Sequence, residues 1–269
     1  MNGLSLNQAT VQRCGVAEAV SACIRAGIGG IGLWREHVAD FGLAATAKLV
    51  RSEGLAVTSL CRGGFFTDPD PQARARSLAD NRRAIEEAAE LGTGELVLVS
   101  GGLRGGDVDS ARSRVADAIA ELAPYAREHQ VRLAIEPLHP MFCSDRCVIS
   151  TVDQALDIAE HFPADQVGVV IDAYHVWWDP RVYDAIERAG SRIAAFQVSD
   201  WTTPLPHGVL LGRSMMGDGC IELRRLHEAV REAGYTGPVE VEIFNEEIWS
   251  APADGVVEKV VARCQEHVW

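Results

Sequence analysis

Short apolar runs rich in β-branched residues alternate along the chain with longer stretches whose apolar residues recur every three to four positions. The short runs read as buried strands and the longer ones as amphipathic helices. The strand candidates are GLSL (3–6), GGIGLW (29–34), LAVTSLC (55–61), ELVLVS (95–100), VRLAIE (131–136), VGVVID (167–172), RIAAFQV (192–198) and PVEVEIF (238–244). Helical patterns lie between them, among them VAEAVSACIRAG (16–27), ARSLADNRRAIEEAAELG (75–92) and IELRRLHEAVREAG (221–234), the last closed by Gly234, a usual helix C-terminal residue. STVDQALDIAEHF (150–162) opens with Ser150 and Asp153 at capping-box spacing, and VVEKVVARCQEH (256–267) follows the eighth strand. No linker or low-complexity segment interrupts the pattern, so residues 1–269 read as one domain. Eight strands alternating with helices predict an α/β fold, the (β/α)8 TIM barrel. An open doubly wound sheet is the competing architecture. It favours a G-x-G-x-x-G turn after an early strand, and none sits there; GGLRGG (101–106) has the wrong spacing and reads as a loop.

The 269 residues are 47% hydrophobic, enough for a large core, and a length near 270 suits one such barrel. No apolar run approaches the roughly 20 residues of a membrane span, and the N-terminus MNGLSLNQAT lacks the charged and apolar regions of a signal peptide. Seven cysteines, odd in number and scattered through strand and helix patterns, read as reduced thiols, and a cytoplasmic protein is expected. Cys143 and Cys147 form a C-x3-C pair with no second pair to complete a zinc site. The net charge of −13, with 38 acidic against 25 basic residues, repels phosphate backbones, and nucleic acid is not an expected partner. Self-association into a homo-oligomer stays open.

In a barrel of this kind, chemistry collects at the C-terminal ends of the strands. The later strands end in Glu136, Asp172, Gln197 and Glu242, each after an apolar run. A single strand-end carboxylate marks no more than the chain meeting water. Three carboxylates and an amide on consecutive strands would surround one mouth, where they would repel one another and lose hydration without a cation. Oxygen ligation of one divalent ion removes both costs and suits Mn²⁺ or Mg²⁺, with Zn²⁺ open. His139 lies three residues after Glu136, and His175 three after Asp172. Each is placed to ligate, orient substrate or carry a proton, or to cap a loop carbonyl. Trp34, Phe65, Phe66, Trp177, Trp178 and Trp201 follow strands, as pocket wall or as packing beneath loops, and Arg62 ends strand three in SLCRGG.

Several motifs resemble the xylose-isomerase-like barrel superfamily of sugar-phosphate isomerases and epimerases. They are IEP (135–137), D-x-x-H (172–175), QVSD (197–200), the G-x-G of GDGCIEL (217–223) and EIF (242–244), all in the second half of the chain. The resemblance implies that Glu136, Asp172, Gln197 and Glu242 bind one metal, that His175 touches substrate or metal, and that Arg213 binds a substrate oxygen. Many members carry His where this chain has Gln197; the hydroxypyruvate-isomerase-like branch is similar to it in having Gln. The insert WTTPLPHGVLLGRSM (201–215) is long for its place before the G-x-G and puts His207 over the expected pocket. These features imply a metal-dependent isomerase or epimerase of a small carbohydrate: a sugar, keto-sugar or oxidised cyclitol. Glu136 and Glu242, or His139, would exchange the proton, with His175, Arg213, His207, Arg62 and Trp34 as substrate contacts. A lyase on the same scaffold, acting on 3-keto-glycosides or inososes, and a non-catalytic carbohydrate-binding barrel are the alternatives.

Overall fold

The structure, a computed structural model, describes residues 3–206 and 208–269. His207 therefore lies outside the described residues. Strands β1 (Leu4–Asn7), β2 (Gly30–Trp34), β3 (Ala56–Gly64), β4 (Glu95–Val99), β5 (Arg132–Glu136), β6 (Val167–Asp172) and β7 (Ile193–Val198) follow the predicted runs. The chain then forms a small antiparallel pair, β8 (Asp200–Trp201) and β9 (Arg213–Ser214), before the last barrel strand, β10 (Val239–Val241). The barrel closes in the order β1-β10-β7-β6-β5-β4-β3-β2 with every neighbour parallel, a (β/α)8 barrel.

Helices α1 (Val16–Arg25), α2 (Arg35–Phe41), α3 (Leu43–Ser52), α4 (Pro71–Leu91), α5 (Val108–Glu128) and α6 (Val152–Ala159) carry the chain through the first half of the barrel. They are followed by α7 (Ala173–Val176), α8 (Val182–Ala189), α9 (Leu223–Glu232), α10 (Glu246–Ser250) and α11 (Ala253–His267). One helix start differs from expectation. The cap of α6 is Thr151, whose hydroxyl accepts from the Gln154 N–H at 3.2 Å. Gln154 Oε1 in turn accepts from the Ser150 N–H at 2.8 Å, so Thr151 takes the place expected of Ser150 as the cap, and Gln154, not Asp153, reaches back to the residue before the cap.

The strands alternate in side-chain volume more than in polarity. Leu60, Leu96, Leu98, Leu133, Ile135, Val169 and Ile171 pack outward into one core with helix residues such as Val20, Ile85, Ile119 and Leu226. Their neighbours Cys61, Val97, Ala134, Val170 and Ala195 form a separate, smaller cluster inside the barrel. Parallel strands buried on both faces read as continuous apolar runs, which is why the sequence shows no polar alternation here. Small interior residues leave room for polar ones at the β1, β3, β7 and β10 side, where the site is built.

Candidate functional site

The barrel interior holds a carboxylate that the strand-end pattern did not single out. Glu240, 2% exposed, accepts from Asn7 Nδ2 at 2.8 Å, Thr58 Oγ1 at 2.6 Å, Ser59 Oγ at 3.0 Å and Gln197 Nε2 at 2.9 Å. Two local features admit it. A register slip between β2 and β3 leaves Thr58 without a strand partner, so that Thr58 and Ser59 both reach the carboxylate. Gly32, opposite, leaves the space: a Cβ there would lie 2.7 Å from Glu240 Oε1. The sequence signal was available, because Glu240 and Glu242 stand two apart in VEVEIF and share one face of the chain. Replacing Glu240 with Ala strands three buried donors, Asn7, Ser59 and Gln197, and removes one partner of the half-buried Thr58. We expect a loss of about 2–4 kcal/mol in urea unfolding, part of it recovered by Glu240→Gln.

This network fixes Gln197. Its amide nitrogen donates to Glu240, and its Oε1, fully buried, has no hydrogen-bond partner. An orphaned buried acceptor is costly unless a ligand completes it.

One layer above, at the C-terminal mouth, Glu136 ends β5, Asp172 ends β6, and Glu242 lies one residue past β10. All three are buried. Ligand atoms of Glu136, Asp172 and His175 lie within 4.8 Å of one another. His175 sits in α7, the turn that Asp172 caps by accepting from the Tyr174 N–H at 2.9 Å, and this cap brings the imidazole Nε2 to 3.6 Å from Asp172 Oδ2. Glu242 joins the group through Arg213. Arg213 NH1 donates to Asp172 Oδ2 at 2.8 Å, and NH2 lies 3.2 Å from Glu242 Oε2 and 3.0 Å from His175 Nε2. The guanidinium also packs over Tyr174, 4.6 Å from the ring centroid.

Arg213 reaches this position because the two ends of the long insert pair antiparallel. Trp201 of β8 pairs with Arg213 of β9. Asp200, the last residue of QVSD, holds the following turn: its carboxylate accepts from the N–H groups of Gly217 at 2.9 Å, Gly219 at 3.0 Å and Ile221 at 3.0 Å. The G-x-G thus serves a carboxylate anchor.

The charges are mutually dependent. Burial raises the Glu136 pKa well above the usual range, and the neighbouring Glu242 and Asp172 push it further. Burial likewise raises Asp172, against the pull of Arg213. Glu242 is raised by burial to about 8, again against Arg213. His175 is held well below its ordinary value by burial and by Arg213, which favours the neutral imidazole. A neutral imidazole has one N–H and one lone pair, yet His175 meets donors at both nitrogens: the His139 N–H at Nδ1, 3.3 Å, and Arg213 at Nε2.

The other predicted residues fall in different places. Trp34, Arg62, Glu136, His175, Arg213 and Glu242 line one cavity of about 140 Å³, which Phe142 and Arg146 also wall. Trp34 is fixed by its indole N–H donating to Asn7 Oδ1 at 2.8 Å. His139 does not line that cavity. It caps the short turn Pro140–Phe142, with its ring 4.8 Å from Trp201 and 5.6 Å from Trp178. Burial lowers its pKa. Phe66 is buried in the outer core, while Phe65 stays 41% exposed.

Residues 20–266 match the family described as xylose isomerase-like TIM barrel, and the chain belongs to that family. The crystal structure of protein SMc04130 from Sinorhizobium meliloti 1021 superposes with a TM-score of 0.96 at 48% identity, covering 99% of this chain and 98% of that one. The IOLI protein, whose crystal structure holds a zinc atom, superposes at 0.86 with 22% identity over 99% of this chain and 98% of its own. Among curated relatives, an inosose isomerase of Bacillus velezensis is 25% identical over 82% of this chain and 79% of that protein. An L-ribulose-5-phosphate 3-epimerase of Salmonella paratyphi A is 27% identical over 75% of this chain and 69% of its own. The chain is an enzyme of this family. Among the described residues, no helix is long and apolar enough to cross a membrane.

Proposed function

We propose that this enzyme is a divalent-metal-dependent isomerase or epimerase of a small sugar, keto-sugar or oxidised cyclitol. The observation that carries the reading is the buried group of Glu136, Asp172 and His175 beside the unpartnered Gln197 oxygen. The named relatives and the zinc in the IOLI structure support it. The donor set fits a cation: Glu136, Asp172, Gln197 and Glu242 would hold it, with the His175 imidazole within reach. Carboxylate, amide and imidazole donors suit Mn²⁺, Mg²⁺ or Zn²⁺. Such an ion, when bound, polarises adjacent carbonyl and hydroxyl oxygens of the substrate and acidifies the carbon-bound proton between them.

Glu136 and Glu242 carry the proton exchange. Both line the cavity, Glu136 from the end of β5 and Glu242 from just past β10, so one can receive the proton from carbon and return it to the neighbouring carbon, or the two can act on opposite faces. Leu138, Phe142 and Phe244 give the cavity an apolar wall that limits water at the reacting carbons. His139 acts through its backbone, which holds His175. His139→Ala is therefore expected to keep turnover within about threefold and to cost about 1 kcal/mol of stability. A loss of two or more orders of magnitude in turnover would move the base to His139.

The reading is tested by incubating metal-loaded protein with keto-sugars, inososes and 3-keto-glycosides in deuterated water. Deuterium at carbon in an isomeric product is the expected result. Release of an aglycone or of water makes the enzyme a lyase on the same scaffold. Binding of these carbohydrates without turnover overturns the isomerase reading, and failure to take up any divalent ion removes the metal reading.

A further inference from the structure

The cavity has a cationic wall that the proton exchange does not use. Cys61 pairs with Val97 and Gly63 with Leu98, so Arg62 between them has no partner on β4. Bulges of this kind re-aim a side chain and collect next to active sites. Two groups hold the bulge in shape. Asn81 accepts from the Gly64 N–H at 2.7 Å and donates to the Gly64 carbonyl at 2.9 Å. Gly64 has a φ of 111°, and a Cβ there would collide with the Val99 carbonyl oxygen at 1.9 Å.

The Arg62 guanidinium lies 4.7 Å from the Phe65 centroid and 5.6 Å from that of Trp34. Phe65 takes a φ of 63°, an uncommon conformation for an aromatic residue and one that marks functional sites. Aromatic rings cover the faces of a guanidinium and leave its N–H edge to hydrogen bond. That edge is unsatisfied: Arg62 Nε is buried without a hydrogen-bond partner, and no carboxylate pairs with Arg62 among the described residues. Arg146 lines the same cavity, 3.6 Å from its own neighbour Asp145. Arg213, by contrast, is saturated by Asp172 and Glu242. The cavity thus carries both signs of charge: Glu136 and Glu242 at the ends of β5 and β10, and Arg62 and Arg146, of which Arg62 is near enough to Glu242 to pull its pKa down without pairing with it.

We propose that the substrate carries an anionic group, a carboxylate or a phosphate monoester, bound by the edge of Arg62 with Arg146 beside it. The anion lies at the end of the molecule away from the carbons that exchange a proton, an orientation that rests on the isomerase reading. At about 140 Å³ the cavity admits a small molecule or one end of a sugar.

The test is calorimetric titration of the full chain, metal-free and metal-loaded, with glycerate, glycerol 3-phosphate and uncharged glycerol. The wild type should bind at least one of the anions about tenfold or more tightly than glycerol in both states, and the tighter anion names the group. Arg62→Met should bring that ratio to about threefold or less while metal affinity stays as in the wild type. If Arg62→Met does not fold, Arg62→Lys, which keeps the charge and loses the forked edge, should lower the ratio at least about threefold. A wild type that does not discriminate, or variants that keep the full ratio, overturn the proposal. Arg62-dependent anion binding in a protein that takes up no metal would sink the metal reading and leave the anion site standing.

Discussion

Arg213→Met is expected to lower the unfolding free energy of the metal-free protein by about 3–5 kcal/mol, and a saturating divalent cation is expected to restore most of it. Arg213 is the only cation in direct ion-pair contact with Asp172 and Glu242 among the described residues. Asp172 is fully buried, and Glu136 and Glu242 are nearly so. Removing the guanidinium strands Asp172 and Glu242 away from water, either as unpaired charges or as carboxyls that must take up protons, and breaking a buried pair from one side is costly in both cases. Methionine keeps much of the side-chain bulk against Tyr174, so the loss reports charge more than packing. A cation held by the same carboxylates replaces the missing charge; at a concentration a thousandfold above its dissociation constant, binding contributes about 4 kcal/mol. Urea unfolding with and without Mn²⁺, Mg²⁺ and Zn²⁺ measures both quantities. A variant that stays destabilised at saturating concentrations of each ion would mean that the carboxylates are neutralised by Arg213 alone and hold no metal.

The second large effect is on pH. Metal affinity should rise about tenfold per pH unit for each proton released, the proton on Glu242 contributing up to about pH 8. Glu136, Asp172 and Glu242 all have folded-state pKa values raised chiefly by burial, Glu242 to about 8. The metal-free folded chain therefore holds protons that the unfolded chain has lost, and a cation must displace them. The same shifts fix the sign of the stability change. Groups raised on folding contribute stability that is fully present below their unfolded pKa and lost as pH climbs through the folded value. The metal-free protein should accordingly weaken between about pH 5 and 8, and the metal-loaded protein much less. Calorimetric titration in buffers of different ionisation enthalpy counts the protons released. Binding with no proton release between pH 6 and 8 would show that these carboxylates are already ionised.

These charges bear on what the sequence determined by itself. Strand and helix periodicities are local, and eight of the barrel's strands stand where the apolar runs placed them. The rule that chemistry collects at C-terminal strand ends then singled out Glu136, Asp172 and Glu242, and the D-x-x-H spacing put His175 beside Asp172, because one turn of helix returns that residue to the strand end. Tertiary structure decided which groups meet across the mouth. Arg213 contacts Asp172, 41 residues away, only because the antiparallel pairing of β8 with β9, anchored by Asp200, folds the insert back. Glu240 is an interior acceptor only because a register slip turns Thr58 and Ser59 toward it, and it orients Gln197 from a strand paired by barrel closure. His139 has the same three-residue offset as His175, yet the turn that follows Pro140 places it among tryptophans outside the cavity. Spacing along one strand fixes which residues share an end of the barrel, whereas charge pairing, register and loop return depend on contacts between segments far apart in the chain, and those exist only once the barrel has closed.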